Sequence, residues 1–385
     1  MVDTIGTSHI YLYDDGPRKN AYTAMFQDWY PIGFLNRVLS EGSDLAVYWA
    51  LRKIAHQTSI SGLTYDNGKF VLGAHAKRLE ALGGLIDDKA KATIKNAVLK
   101  AERSASDRTK VQALKVITEL GLAEDALTFL KEKLQRDNPP AITAAIISNI
   151  TNCRHGEYLC RSMGIESHNP DAGKYLEPDP KLDDAIWNIL SKAAMANVRT
   201  ACLGYLWLID KTSVSEDKQR LLETLAESTD DSIRKAVAAA LGDRAVPKNP
   251  GMIDLALHLA ADDKDEDVRC AGILALRNVK TPEITQKLIE FFKPEQPGRV
   301  RMEALDTLEG WGEHHWDILI AASKDKDEWM RKRAMYHLRD MATPEAIAAL
   351  KDALHDSSKM VRDEAAEQLE WMRKEGKLGK QVGPK

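Results

Sequence analysis

The chain lacks most of what would name an activity. No apolar run reaches the roughly eighteen residues that a membrane-spanning helix needs, so no membrane association is expected. Four cysteines (Cys153, Cys160, Cys202 and Cys270) in 385 residues, with no CxxC pair, fit a reducing compartment, and the chain reads as cytoplasmic. The opening MVDTIGTSHIYLYDDG has neither the basic stretch nor the apolar core of a secretory signal. An excess of one charge is missing too: 54 Lys and Arg meet 58 Asp and Glu, for a formal charge of −4. That near balance gives no bulk drive toward nucleic acid, which is disfavoured as a partner. No phosphate-cradling GxxxxGK[ST], dinucleotide GxGxxG or nucleophile-elbow GxSxG occurs. Ser215-Glu-Asp-Lys218 fits SxxK, a pattern short enough to arise by chance. No enzyme and no cofactor are expected.

What the chain does have is a pattern that recurs. An aliphatic residue is followed by Arg, then by a small residue three positions on, then by Leu four further on. It reads Val198/Arg199/Cys202/Leu206, Ile233/Arg234/Val237/Leu241, Val268/Arg269/Gly272/Leu276, Val300/Arg301/Ala304/Leu308, Met330/Arg331/Ala334/Leu338 and Val361/Arg362/Ala365/Leu369. The arginines stand 35, 35, 32, 30 and 31 residues apart. Apolar positions four apart share one helix face, and the small central residue lets a neighbouring helix come close. A second amphipathic segment follows each pattern, as in Ile253–Leu259 and Ile347–Leu354. Each period is therefore two antiparallel helices. A fixed period of this length predicts stacked units rather than one globular core.

The turn before the arginine is acidic or polar. Asp263, Asp325 and Asp356 stand six residues before Arg269, Arg331 and Arg362, Glu295 before Arg301, and Ser228 before Arg234. Asp and Ser suit helix starts, and Arg can bridge to the acidic turn of its own or the adjacent unit. Asp263, Arg269, Asp325, Arg331, Asp356 and Arg362 are therefore read as a structural ladder.

These residues resemble the HEAT-repeat family, in particular the short HEAT-like units of phycobilin lyases and prokaryotic adaptor proteins. The resemblance is strong over 190–372. Upstream it is weaker, at Lys110 with Ala113 and Ile117 and at Thr143 with Ile146 and Ile150. It implies an all-α solenoid, a superhelix of about nine or ten helical-hairpin repeats, and says little about activity. One HEAT-repeat enzyme family, deoxyhypusine hydroxylase, uses His-Glu pairs for iron, and this sequence has no His-Glu dipeptide.

The repeat breaks in two places. From Thr143 to Arg199 is 56 residues, more than twenty beyond one period, and the excess falls at 152–180. Cys153, His155, Cys160 and His168 there have zinc-ligand chemistry, but not the spacing of a known finger. The segment is read as a partner-contacting loop carrying Arg154, Tyr158, Arg161 and Tyr175, with no metal assigned. The second break is the N-terminus, where Tyr11, Tyr13, Tyr22, Phe26, Trp29, Tyr30, Phe34, Tyr48 and Trp49 suggest an aromatic cap. Asn67-Gly68 within Leu63–Leu72 predicts a small β-hairpin. The loop at Trp311, His314 and His315 is the remaining candidate contact.

The expected organisation is thus a cap with degenerate repeats over 1–100, repeats over 101–151, an insert over 152–180, regular repeats over 181–372 and a frayed tail over 373–385. The expected role is a non-enzymatic scaffold or adaptor binding another protein. The alternatives are an assembly factor resembling a bilin lyase subunit and a nucleic-acid-binding HEAT protein.

Overall fold

A computed structural model describes residues 63–66, 69–72, 99–101, 106–119, 126–162, 178–209, 214–242, 249–312 and 315–378. The aromatic cluster of residues 11–49, Tyr175, His168, His314 and the end of the tail lie outside the described residues. The chain divides into two units, Met1–Ile209 and Asp210–Lys385.

In the first unit β1 (Leu63–Asp66) and β2 (Lys69–Leu72) pair antiparallel around Asn67-Gly68, with Leu63 opposite Leu72 and Asp66 opposite Lys69. The hairpin read from the sequence is present. The helices of this unit are α1 (Asp107–Glu119), α2 (Ala126–Leu134), α3 (Pro140–Ser162), α4 (Pro180–Lys192) and α5 (Ala196–Leu206). α2 packs on α3 and α4 on α5, while α3 lies between α1 and α5. α3 runs on through Ser162, so residues 152–162, read as loop, are helix. Ile146, Ile147 and Ile150 are fully buried on it. These apolar residues continue the helical period past the point where the arginine signature fails.

The second unit is a two-layer α-solenoid. One layer holds α6 (Glu216–Ala226), α8 (Pro250–Asp262), α10 (Pro282–Phe291), α12 (Trp316–Ser323) and α14 (Pro344–Ala353). The other holds α7 (Asp231–Leu241), α9 (Glu266–Ala275), α11 (Gly298–Glu309), α13 (Glu328–Met341) and α15 (Lys359–Lys374). Each helix of the first layer pairs with the next helix of the second, and α7, α9, α11, α13 and α15 pack in succession. Of the repeated arginines, Arg234, Arg269, Arg301, Arg331 and Arg362 lie in this second layer, and Arg199 lies on α5 of the first unit.

The two layers start differently. Three of the five first-layer helices open on a polar residue followed by Pro, at Asn249-Pro250, Thr281-Pro282 and Thr343-Pro344, and Asp179-Pro180 opens α4 in the first unit. The polar side chain accepts an orphan backbone N–H, and Pro gives up no needed donor at the first helical position. Second-layer helices α7, α9 and α13 are capped by Asp230, Asp265 and Asp327. The pattern residues form the core between the layers: Val268, Leu276, Val300, Ala304, Leu308, Met330, Ala334, Leu338, Val361 and Ala365 are all fully buried. Leu369 on the last described helix is only partly buried.

Candidate interaction face

The arginines are held inside the stack. Arg234 donates from Nε and Nη2 to both carboxylate oxygens of Asp263, at 2.7 and 3.0 Å. Arg301 makes a two-point pair with Asp325 from Nη1 and Nη2, its Nε donating to the Phe292 carbonyl, and Arg331 pairs with Asp356 through Nε and Nη2 at 2.8 Å for both bonds. Both side chains of the Arg234–Asp263 pair are only 5% exposed. Each pair joins an arginine to the turn of the next repeat. Toward its own repeat, the arginine donates to a backbone carbonyl six residues back: Arg199 to Ala193, Arg234 to Ser228, Arg331 to Asp325 and Arg362 to Asp356. The spacing of six therefore reflects a carbonyl, while the acid at that place serves the preceding arginine. Arg269 departs from the scheme. It donates to the Ala260 carbonyl and to Gln296 Oε1 at 2.5 Å, so an amide stands where the other rungs have a carboxylate.

Each aspartate also fastens its own turn. Asp263, Asp325 and Asp356 accept the N–H two residues on, from Asp265, Asp327 and Ser358. Burial opposes ionisation of Asp263, but the Arg234 guanidinium and the Asp265 N–H outweigh it and hold the carboxyl below its usual range. Asp325 behaves alike, with Arg301 overcoming burial. For Asp356 the Arg331 hydrogen bonds are the leading cause of the lowered value.

With the ladder turned inward, a different set of side chains faces solvent on the second layer. Lys235 on α7 meets Asp267 on α9 at 2.8 Å, and Arg299 on α11 pairs with the same carboxylate. Asp306 on α11 receives Arg333 of α13 at 2.6 and 2.7 Å and lies 2.9 Å from His337 Nε2. Burial works against the Asp306 charge, but His337 and Arg333 prevail and the carboxyl is lowered. Glu303, one turn before Asp306, is pushed up by burial and by the Asp306 charge. Burial, with Glu303 nearby, pushes the Cys270 thiol up to about 11, so it is a poor nucleophile at neutral pH. Large side chains stand out of this polar mesh: Leu274 is 44% exposed, Tyr336 39% and Trp329 57%.

The first layer presents an acidic counterpart. A groove of about 520 Å³ between α6 and α8 is lined by Glu223, Glu227, Asp254 and His258, and a second groove continues past His258 to Glu290 on α10. His258 lies 3.2 Å from Asp262 and 3.3 Å from Glu227. Among the described residues no group of three or more His, Cys, Asp or Glu could hold a metal ion.

The contact residues read from the sequence fall differently. Arg154 is buried rather than presented: Nη1 donates to Tyr205 Oη at 2.5 Å, and Tyr205 Oη donates to Asp183 at 2.6 Å. Its partner lies 51 residues away, which no local pattern reveals. Tyr158 and Arg161 lie on α3, in its last turns. Trp311 Nε1 donates to the Arg277 carbonyl at 2.5 Å, and the Trp311 carbonyl accepts from Lys280 at 3.3 Å, so this loop fastens neighbouring repeats. The backbone N–H of His315 donates to the buried Glu309 carboxylate at 3.1 Å. Leu274, Trp329 and Tyr336 escaped notice because each sits beside buried apolar residues, Leu274 between Ile273 and Ala275, Trp329 before Met330 and Tyr336 after Met335. The signal was their place, off the buried face of the period.

Comparison with known proteins agrees with the two-layer hairpins. The family described as HEAT repeats matches residues 218–309 and 316–378. The chain carries HEAT repeats. No curated protein matches it. Among solved structures, the HEAT-repeat chain is similar to an importin-beta crystallised in ammonium sulfate, at 13% identity, covering 92% of this chain and 48% of that one, with a TM-score of 0.49. It is similar to yeast importin-beta at 12% identity, 93% and 54% coverage and a TM-score of 0.45. A protein of E. coli, YibA, matches at 13% identity, 73% and 96% coverage and a TM-score of 0.43. The chain spans about half the length of the importin-beta chains it matches. Among the described residues no helix is long and apolar enough to cross a membrane.

Proposed function

We propose that this HEAT-repeat chain is a non-enzymatic scaffold that binds another protein across the solvent face of α9, α11 and α13. The observation that carries the reading is the division of labour in the second layer. Arg234, Arg301 and Arg331 are consumed in pairs between repeats, while Leu274, Trp329 and Tyr336 protrude from a face where Lys235, Arg299 and Arg333 bridge to carboxylates of the neighbouring helix. Protruding aromatic and aliphatic side chains set in fixed polar surroundings are the usual anchors of protein interfaces. Helices bridged in this way present those anchors with little further ordering cost.

Hydrogen exchange on the full chain, alone and with a protein that co-purifies in fixed ratio, tests this. Protection is expected at the exposed ends of α9 and α13, and Leu274→Asp is expected to abolish the complex with little change in melting temperature. Protection confined to α6, α8 and α10 contradicts the reading.

A further inference from the structure

Along α13 and α15, cations and aromatic rings alternate in one column. Arg333 lies 5.3 Å from the centre of the Tyr336 ring, and Arg339 lies 4.5 Å from it. Arg339 is also 4.5 Å from the centre of the Trp371 ring, and Lys377 Nζ is 4.4 Å from that centre. Near the start of α13, Lys332 Nζ stands 5.9 Å from the Trp329 ring centre. Stacking of this kind fixes side chains that would otherwise lose much freedom when they bind.

The charge in this column leans positive. Lys332, Arg333, Arg339 and Lys377 stand here against the carboxylates of Glu364, Asp306 and Asp340, an excess of one cation. Asp306 takes Nε and Nη2 of Arg333, which leaves Nη1 pointing elsewhere. Lys332 meets Glu364 at 3.4 Å and remains 36% exposed. Among the described residues Lys377 has no carboxylate partner and rests on the Trp371 ring instead. The other layer offers the opposite field: α8, for example, bears Asp254 and Asp262 and no Lys or Arg.

We infer that this column docks an acidic segment of a partner protein. Its carboxylates take Lys377, Lys332 and Nη1 of Arg333, and an apolar side chain between them covers Trp329 and Tyr336. The inference rests on the scaffold reading and adds the chemistry of the partner. A basic segment would meet Lys377, which no carboxylate offsets, and the outward donors of Lys332 and Arg333, while an acidic one meets donors already held in place.

The test uses the full chain and a fluorescein-labelled peptide of Glu-Glu-Phe repeats, read by fluorescence anisotropy at low and raised salt. Lys-Lys-Phe repeats and a short DNA duplex serve as comparisons. The acidic peptide is expected to bind, more weakly as salt rises. Lys332→Glu combined with Lys377→Glu is expected to weaken it about tenfold or more, since each reversal sets like charges face to face. Lys377 follows the last helix, so its single variant keeps the fold, and Tyr336→Ala reports the apolar part separately. Failure of the acidic peptide to bind, equal binding by the charge-reversed protein, or tighter binding of the duplex would overturn the inference. If a co-purifying protein is lost with Leu274→Asp but kept by the charge-reversed variants, the scaffold reading stands and the acidic partner is excluded.

Discussion

Arg331 and Asp356 meet end on across a gap of 25 residues, two donors on two acceptors at 2.8 Å each, with both side chains 13% exposed. The pair ties α13 to the turn that launches α15. Asp356 in turn holds the Ser358 N–H, so one carboxylate orders the turn and joins the repeats.

The rungs are unequal, and their loss should be too. Arg331 has a carboxylate and the Asp325 carbonyl, whereas Arg362 on the last helix donates to the Asp356 and Ser357 carbonyls. Removing one partner of a buried ion pair strands the other and costs about 3–5 kcal/mol, while a hydrogen bond from a charged group to a carbonyl is worth about 1.5–3 kcal/mol. Arg331→Ala is therefore expected to lower the melting temperature more than Arg362→Ala, by calorimetry. Equal losses would mean the carboxylate adds nothing.

Acid should loosen the ladder. Asp263, Asp325 and Asp356 all titrate below their ordinary value in the fold. A carboxyl with a lowered folded pKa binds its proton more readily when unfolded. Its stabilisation is thus complete above the unfolded value near 4 and is lost as pH falls through the folded one. Melting temperature is expected to hold from pH 7 to about 5 and then drop. Asp263→Asn is expected to melt lower at pH 7 and to show a shallower fall in acid. A wild-type curve that stays flat below pH 4 would argue against ionic rungs.

Gly272 marks a close approach of α8 and α9. A Cβ there would stand 2.7 Å from the Ala260 nitrogen and 2.9 Å from the Ala256 carbonyl oxygen, and backbone cannot step aside as a side chain can. Gly272→Ala is expected to destabilise by about 1–3 kcal/mol despite Ala's better helix propensity. Urea denaturation reads this directly, and a stabilised variant would show that the helices have room.

In the first unit, Tyr205→Phe removes the hydroxyl that links buried Arg154 to Asp183. Burial keeps the Asp183 carboxyl above its usual range even with that bond in place. Loss of the hydroxyl leaves polar groups unsatisfied at about 1–3 kcal/mol. A lower urea midpoint for Tyr205→Phe with unchanged helix content at 222 nm checks this.

Much of the fold was legible because burial imposes a period. Val268, Gly272 and Leu276 could be placed on one buried face from spacing alone, and Gly272 could be read as a point of close approach. The starts at Asn249-Pro250, Thr281-Pro282 and Thr343-Pro344 went unread, although a polar residue before Pro is a local signal. The partners of the arginines were not legible. A backbone carbonyl leaves no residue signature, so the spacing of six pointed to the acid at that position rather than to its carbonyl. Gln296 beside Glu295 shows the same limit, since only the fold decides which neighbour reaches Arg269. Arg154 looked like a contact residue because its environment is set by Tyr205 and Asp183 on other helices. The exposed anchors Leu274, Trp329 and Tyr336 became visible only once the buried face was known.

The most direct test of the account is a double-mutant cycle on Arg331 and Asp356, with stability read by urea denaturation. If the repeats are held by pairs that reach from one unit to the next, each single Ala variant strands a partly buried charge. The double variant should then be no less stable than the worse single one, with a coupling of about 2 kcal/mol or more. Additive losses would contradict the ladder and leave the arginines without a structural reason to recur.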